Sequence, residues 1–185
     1  MTLLYIVLAF LVLAILYTVS VSNKLVRLRN QMQEAWSGID VYLKKRHDLV
    51  PNLVSAVKGY AAHEKQTFEE VIRLRSQAIQ ASKQDVRIAS EGELGQALGR
   101  LMAISESYPA LKANANFLEL QRQLAALEEE LSLSRRYYNG TVRELNIVIE
   151  SFPSNLIAGL FGFEKGVFFE IKTSEKEVPK VSFVN

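Results

Sequence analysis

The chain has 185 residues, and its 22 Lys and Arg against 20 Asp and Glu leave a formal net charge of only +2. This near balance gives no electrostatic basis for a nucleic-acid partner. The absence of cysteine excludes disulfides, thiolate metal sites and cysteine nucleophiles. The length favours one domain with an appendage.

The N-terminal segment, residues 1–22, carries no charged side chain and is dense in Leu, Ile, Val, Phe and Ala. Because about 20 apolar residues span the hydrocarbon core of a bilayer, the segment predicts a transmembrane anchor. A cleaved signal peptide is the alternative, since Ser20 and Ser22 have the spacing of a weak cleavage site. However, the segment lacks a basic start, and its apolar part is longer than the usual 7–15 or so residues.

Positive side chains follow the anchor but do not precede it. The nearest are Lys24, Arg27 and Arg29. The positive-inside rule therefore predicts an N-terminus outside the cell and a cytoplasmic bundle. The predicted location is the cell membrane, which the chain crosses once.

A long amphipathic helix is predicted to continue from the anchor to about Gly59–Ala62. Numbered in sevens from Leu25, it shows three adjacent and mostly apolar columns, a stripe so broad that several helices must cover it. The columns keep their register across Pro51, so we expect this proline to bend the helix rather than end it.

Two shorter helices should follow. The first is predicted to start at about residues 65–67, where Thr67 and Glu70 have capping-box spacing. Its predicted face consists of Phe68, Val71, Ile72, Arg75, Ala78 and Ile79. The second is predicted to start near Ser90 and to stop before Pro109.

The last long helix is predicted to begin at a cap formed by Asn114 or Asn116. From Phe117 to Val148 its apolar residues follow a heptad pattern, which is typical of helices that coil around their neighbours. Pro153 should close it.

These elements predict an all-α fold: an N-terminal transmembrane helix followed by an antiparallel up-down helical bundle with long first and last helices. The predicted boundaries are 1–22 for the anchor, 23–152 for the bundle, and 153–185 for an apolar C-terminal segment and tail. Short strands are expected at Val167–Lys172 and Val181–Val184. With antiparallel neighbours, the C-terminal tail should return to the membrane surface.

Two histidines, each followed by an acid, are the candidates for metal chemistry: His47 with Asp48, and His63 with Glu64. The second pair begins like the zinc motif H-E-x-x-H, but Thr67 stands where the second imidazole is required. His47 is predicted to lie on the outer face of its helix. Because the zinc motif is incomplete, we predict that the chain has no metal, cofactor or catalytic residue. A metal-dependent hydrolase that uses these four residues is the alternative function.

Arg46 is the charged member of an otherwise mostly apolar column. Its side chain could reach water from the edge of the stripe or pair with a glutamate across the bundle. The alternative is a buried charge that recognises a partner. Trp36 and the tyrosines beside the stripes are predicted to be core residues, with ligand binding as the second interpretation.

The C-terminal segment contains Leu160, Phe161 and Phe163 in a stretch with few charges. One interpretation is that its apolar face folds back onto the base of the bundle. The other is that part of it stays exposed and meets lipid headgroups or a neighbouring subunit.

Several motifs resemble the LemA family. They are Glu34-Ala35-Trp36-Ser37, Ile39-Asp40, Arg46 to Leu53, Lys58-Gly59-Tyr60, His63-Glu64, Tyr108-Pro109, Leu111 to Asn114, Asn116-Phe117, Arg136 to Asn139, Phe152-Pro153, Phe161 to Phe163 and Pro179-x-Val181-x-Phe183. Glu129 departs from the pattern, since many members carry Asn or Asp there. The resemblance implies a bacterial membrane protein with one anchor, a helical bundle and no established enzymatic activity.

The family's genes often lie beside those of a membrane zinc metallopeptidase, so the resemblance also suggests a role in membrane quality control or envelope maintenance. We therefore predict a membrane-anchored, non-enzymatic scaffold or adaptor. Its predicted partners are the lipid bilayer, copies of itself and other proteins. A membrane metallopeptidase is one candidate among these proteins. Arg46, His47, Asp48, His63, Glu64, Leu160, Phe161 and Phe163 are the candidate interaction residues.

Overall fold

The computed structural model describes residues 1–170, and all regular structure within this range is helical, which confirms the all-α fold class. The chain divides into two compact units. Unit 1 comprises Met1–Leu43 and Glu128–Phe168, and unit 2 is formed mainly by Lys44–Leu127. The two longest helices contribute residues to both units.

The helices are α1 (Thr2–Lys58), α2 (Lys65–Gln80), α3 (Gln84–Glu106), α4 (Pro109–Lys112), α5 (Ala115–Glu150) and α6 (Ser154–Leu160). The first and fifth are the long helices that the sequence predicted. The short α4, which begins at the proline expected to end the preceding helix, was not predicted.

Helix α1 joins the apolar N-terminal segment to the soluble region without a break, as predicted. Within residues 1–170 it is the one helix long and apolar enough to cross a membrane. It continues through Pro51 and ends at Lys58, just before the predicted end. Leu25, Ile39 and Leu53 of the first heptad column are fully buried.

The predicted start of α2 is confirmed, and so are Phe68, Val71 and Ala78 on its buried face, but the predicted cap and two other face residues are wrong. Thr67 lies inside the helix, and the N-cap is Glu64, whose backbone carbonyl accepts a hydrogen bond from the amide of Phe68 at 3.3 Å. Ile72 and Ile79 are exposed, and Leu74 is buried instead. The packed face is thus Phe68, Val71, Leu74 and Ala78, spaced by three and four residues, and it joins the core that α1 and α3 share.

Helix α3 begins at Gln84, six residues before the predicted start, so Ser90 is not its cap. Lys83 has an extended backbone and precedes the first turn, in which Asp85 places a negative charge near the positive end of the helix dipole. This earlier start adds one buried residue, Ile88, to the packed face.

Helix α5 is capped by Asn114, whose side-chain Oδ1 accepts a hydrogen bond from the backbone amide of Phe117 at 3.0 Å. The heptad prediction is confirmed, and its most buried column has members seven residues apart. These are Phe117, Leu124, Leu131, Tyr138 and Leu145. The helix ends at Glu150, before Pro153.

Each unit has its own apolar core. In unit 2, residues from α1 to α5 form one large cluster that includes Leu53, Val71, Leu94, Leu111 and Phe117. In unit 1, three helices meet in a smaller cluster: Val21, Leu25 and Leu28 of α1, Leu145 and Val148 of α5, and Ile157 and Ala158 of α6. One face of α6 therefore folds back, as one of the two interpretations predicted.

Helix α6 ends in a Schellman motif that reverses the chain. Gly162 has a φ of +68°, which residues with a Cβ rarely adopt. The amide of Phe163 donates to the carbonyl of Ala158 at 2.9 Å, and the amide of Gly162 donates to that of Gly159 at 3.3 Å. These bonds satisfy carbonyls at the helix end and direct the following segment back along unit 1.

The strand predicted at Val167–Lys172 is absent from its described part, residues 167–170. Side chains of α5, rather than a neighbouring strand, bond this segment: the hydroxyl of Tyr138 donates to the carbonyl of Val167 at 2.7 Å. Residues 171–172 and the strand predicted at Val181–Val184 lie outside the described residues.

Candidate functional site

Three buried side chains of unit 2 form what we call the charge cluster: Arg46 and His47 of α1 and Glu91 of α3. The guanidinium of Arg46 forms an ion pair with one carboxylate oxygen of Glu91 and also donates to its backbone carbonyl at 3.2 Å. The Nε2 atom of His47 lies 2.8 Å from the other oxygen, Oε1. One carboxylate thus contacts two side chains that are neighbours in the sequence.

The positions of these residues follow from the helix repeat. Arg46 occupies the column that also holds Ile39 and Leu53, so it faces the core. Glu91 lies three residues after Ile88 and three before Leu94, on the buried face of α3. Helix α2 contributes Arg75, whose Nε donates to the backbone carbonyl of His47 at 2.7 Å.

Glu91 remains ionised because its partners outweigh its burial. Burial by itself raises the pKa of Glu91, whereas the hydrogen bond from His47 and the charge of Arg46 lower it, and the net pKa lies below the ordinary value of 4.5. A buried carboxylate that is paired in this way favours one alignment of α1 against α3, because any shift would leave a charge without its partner.

The prediction that His47 lies on the outer face is wrong, since its exposed fraction is 5%. Val54, seven residues later in the same column, is also buried. The covered face of α1 is therefore wider here than its apolar columns indicate, because α3 presents a carboxylate to it. For Arg46, the predicted pairing with a glutamate across the bundle is confirmed.

The other predicted metal or catalytic candidates lie at the surface. Asp48 and His63 are exposed, and Glu64 is half-buried at the start of α2. No group of three or more His, Cys, Asp or Glu side chains that could hold a metal ion occurs within residues 1–170. Sequence reasoning missed Glu91, although its position between Ile88 and Leu94 on an apolar stripe is the signal that could have found it.

Unit 1 contains a shallow groove between α1 and α5, which we call the unit 1 groove, with a volume of about 660 Å³. Its lining combines small residues with larger apolar ones: Glu34, Ala35, Ser37, Gly38, Val41, Leu133, Ser134 and Tyr137. Val41, Leu133 and Tyr137 are exposed. The groove is thus an open and largely apolar surface.

Tyr138, the neighbour of Tyr137, is fully buried beneath this surface. Its ring meets the half-buried Trp36 edge-on, with the ring centroids 5.4 Å apart. Asn146, two turns further along α5, binds both backbone groups of Gly166, accepting from its amide at 2.8 Å and donating to its carbonyl at 3.1 Å. A Cβ on Gly166 would lie only 2.5 Å from the sulfur of Met32, so glycine permits this close approach.

The predicted apolar candidates of the C-terminal segment remain largely outside the core. Leu160 and Phe161 are exposed. Phe163 is half-buried, and the guanidinium of Arg29 lies 5.3 Å from the centre of its ring, within the range of a cation–π interaction. Both interpretations of the C-terminal segment are thus partly confirmed: one of its faces packs against the unit 1 core, and another is exposed.

Comparison with known proteins identifies the family. The family model described as LemA matches residues 35–183, which is most of the chain. The chain belongs to the LemA family. The match includes the charge cluster, α6 and the unit 1 groove except Glu34, so the three sites lie almost entirely within the family region.

Relatives of this LemA family protein include two groups of named proteins. Magnetosome protein MamQ 1 of Paramagnetospirillum magneticum is 25% identical over 81% of this chain, and MamQ of Magnetospirillum gryphiswaldense is 24% identical. Protein LemA of Metamycoplasma hominis is 28% identical over 93% of this chain and 80% of its own length. The chain spans 65% of the length of the magnetosome relatives.

Proposed function

We propose that this LemA family protein is a membrane-anchored, non-enzymatic scaffold that associates with copies of itself through the unit 1 groove. The observation that carries the proposal is the exposed apolar surface of Val41, Leu133 and Tyr137 between two helices. Single exposed apolar residues are common on proteins, but a continuous open groove is typical of an interaction site.

The shape of the groove suits another helix. Gly38 and Ser37 on α1 and Ser134 on α5 are small, so the backbone of an incoming helix could approach closely. A Cβ built on Gly38 meets nothing within 4 Å, which shows open space above it. Tyr137 offers a large and rigid side chain of the kind that contributes most to binding at interfaces.

A second copy is the favoured occupant because the groove and the apolar anchor segment belong to the same compact unit. Copies held in one bilayer would present their grooves at the same height above it. Confinement to a membrane also raises the effective concentration of one copy around another. Two identical grooves can then pair about a two-fold axis, the commonest arrangement in homo-oligomers.

The alternative of a metal-dependent hydrolase is not favoured by this geometry. His47 is buried and its Nε2 atom already lies against Glu91, whereas His63 is exposed in the turn after α1. A substrate would have to displace the buried pair to reach His47. Binding to a membrane metallopeptidase, and a role in membrane quality control or envelope maintenance, stay predictions based on the resemblance to the family.

We expect Tyr137→Ala to weaken self-association. Loss of a central interface tyrosine typically costs about 2 kcal/mol or more, which corresponds to roughly a 30-fold increase in the dissociation constant. The measurement is energy transfer between donor- and acceptor-labelled full-length chains in vesicles, recorded as protein is diluted with lipid. Ile147→Ala removes an equally exposed side chain of α5 that does not line the groove, and it should have no effect.

Two results would contradict this proposal. One is a wild-type chain that shows no energy transfer above random proximity at any density. The other is equal association of the Tyr137→Ala and wild-type chains, since the groove would then not be the contact. Capture of a different protein by the Tyr137 surface, without self-association, would show that the scaffold binds another partner there.

The proposed orientation, with the N-terminus outside and the bundle in the cytoplasm, has a direct test because the chain has no cysteine. Lys83 and Thr2 are both exposed, and a single cysteine is placed at one or the other. In intact cells, a membrane-impermeant maleimide should label Thr2→Cys and leave Lys83→Cys unlabelled until lysis. The reverse pattern would invert the orientation, and a mature chain without residue 2 would support the cleaved signal peptide.

A further inference from the structure

The surface of α6 combines a packed face with an uncommonly apolar outer face. Ile157 and Ala158 are buried in the unit 1 core. Around them, four large side chains point away from that core: Phe152 is 81% exposed, Leu156 65%, Leu160 78% and Phe161 54%. In water these side chains would form a solvent-facing apolar patch, which the described residues, 1–170, leave uncovered.

The sequence around the patch lacks charge. Residues 152–163 contain no Asp, Glu, Lys or Arg, although such residues make up 23% of the whole chain. Phe152, Leu156 and Leu160 are spaced by four residues, so they share one side of the helix and its entry turn. A short, uncharged segment with one buried and one exposed apolar side is typical of an element that lies in a membrane interface.

The position of the patch relative to the anchor identifies what covers it. The core partners of Ile157 and Ala158 include Val21 and Leu25 of α1. The exposed apolar run of α1 reaches Val19. At about 1.5 Å per residue, Val21 lies roughly 3 Å and Leu25 roughly 9 Å beyond that point along the helix.

These distances match the headgroup layer. A bilayer has a hydrocarbon core of about 30 Å and a total thickness of about 40–45 Å, which leaves roughly 5–8 Å of headgroup region on each side. When the apolar run of α1 spans the core, α6 therefore lies at headgroup depth. Its open apolar side chains are then beside lipid rather than in bulk water.

The positively charged side chains of α1 near the depth of α6 also suit a headgroup layer. Lys24, Arg27 and Arg29 are exposed on α1 in the first turns after the apolar run. Their charges suit the phosphates of a headgroup layer, and anionic lipid would strengthen the contact. The nearby acid Glu150 is paired with Lys165 at 2.5 Å, which reduces its repulsion of phosphate.

We propose that α6 is a membrane-contact element: Phe152, Leu156, Leu160 and Phe161 insert into the boundary between headgroups and acyl chains of the leaflet from which α1 emerges. The element holds the base of unit 1 on the bilayer, so the soluble part does not swing freely from a single helix. The contact is independent of the unit 1 groove, which lies on other residues.

The test places one cysteine in the full-length chain, labels it with the environment-sensitive fluorophore NBD and reconstitutes the protein in phosphatidylcholine and phosphatidylglycerol vesicles. The probe positions are Leu160→Cys, Val19→Cys as a reference within the apolar run, and Gln33→Cys as an exposed control. Gln33 lies fourteen residues beyond Val19, or roughly 21 Å along α1. Lipids that carry a nitroxide near the headgroup quench fluorophores at that depth.

We expect the probe at position 160 to be quenched to an extent comparable with that at position 19, at every protein-to-lipid ratio, while the probe at position 33 is unaffected. Adding Phe161→Glu should reduce the quenching at position 160 without changing the helical circular dichroism. An unquenched, water-like probe at position 160 would overturn the proposal. Shielding of the probe at position 160 only at high protein density would also overturn it, because a second copy would then cover the patch. A third contrary result would be quenching at position 160 that Phe161→Glu leaves unchanged.

Discussion

Replacing Glu91 by Gln is expected to lower the free energy of unfolding by about 3–5 kcal/mol, because the change removes the buried carboxylate that forms an ion pair with the guanidinium of Arg46. The measurement is denaturant unfolding of the full-length protein in detergent, followed by circular dichroism. Hydrogen exchange should show faster opening of α3 in particular. Glu93→Gln on the same helix, at an exposed position, should change stability by less than about 0.5 kcal/mol.

A double replacement tests whether the unbalanced buried charge causes this loss, since Gln has nearly the same volume as Glu. Arg46→Met combined with Glu91→Met removes both charges and keeps apolar bulk, so it should recover most of the stability that Glu91→Gln loses. If the double variant were as unstable as the single one, packing rather than charge pairing would explain the loss. A single variant as stable as the wild type would show that the charge cluster does not hold α1 against α3.

The same carboxylate predicts the pH dependence of stability. The pKa of Glu91 is lower in the folded chain than its ordinary value of 4.5, so the unfolded chain binds more protons between the two pKa values. The stabilisation is therefore fully present above the unfolded pKa and is lost as the pH falls through the folded pKa. Wild-type and Glu91→Gln stabilities, measured from pH 7 downward, should converge below about pH 4.5, whereas parallel curves would contradict the assignment.

The second large effect is expected in unit 1, where Tyr138→Ala should cost about 3–5 kcal/mol of unfolding free energy. This change removes a fully buried ring, its edge contact with Trp36 and the hydroxyl that binds the carbonyl of Val167. Trp36 is the only tryptophan, so its emission reports on this site directly. The emission should shift to longer wavelength in Tyr138→Ala as water reaches the indole.

Two neighbouring substitutions act as controls for this prediction. Tyr137→Ala removes the same side chain from the adjacent exposed position, and it should leave both stability and Trp36 emission nearly unchanged. Tyr138→Phe keeps the ring and loses one hydrogen bond, for a cost of about 1 kcal/mol. Equal losses for Tyr137→Ala and Tyr138→Ala would show that this face of α5 is not divided into a buried and an open side.

The long helices were predictable because their signals are local and repeat many times. The heptad of α5 predicted Leu131, Tyr138 and Leu145 as core residues, and all three are buried. The apolar columns of α1 continued across Pro51, and so does the helix. Over so many turns, a weak preference at each position adds up to one unambiguous face.

The short elements were predicted less well, since a few residues allow more than one start or rotation. The capping-box spacing at Thr67 did not identify the cap of α2, which is Glu64, and the start predicted near Ser90 lies six residues inside α3. In α2, Leu74 and Ile72 are both apolar, and which of them is buried depends on where α1 and α3 lie. The local sequence of α2 carries no information about the positions of α1 and α3.

Local sequence patterns were enough to predict the all-α class, the apolar segment that can cross a membrane, the two long helices with their core columns, and the membership in the LemA family. The folded chain was needed to see that His47 is buried and that Glu91 joins it to Arg46. It was also needed to see that α6 packs one face beside the end of the apolar run and leaves the other open. The reason is physical: helical periodicity depends on residues close in the chain, whereas the burial of a charge depends on a counter-charge that another helix must supply, here 45 positions away.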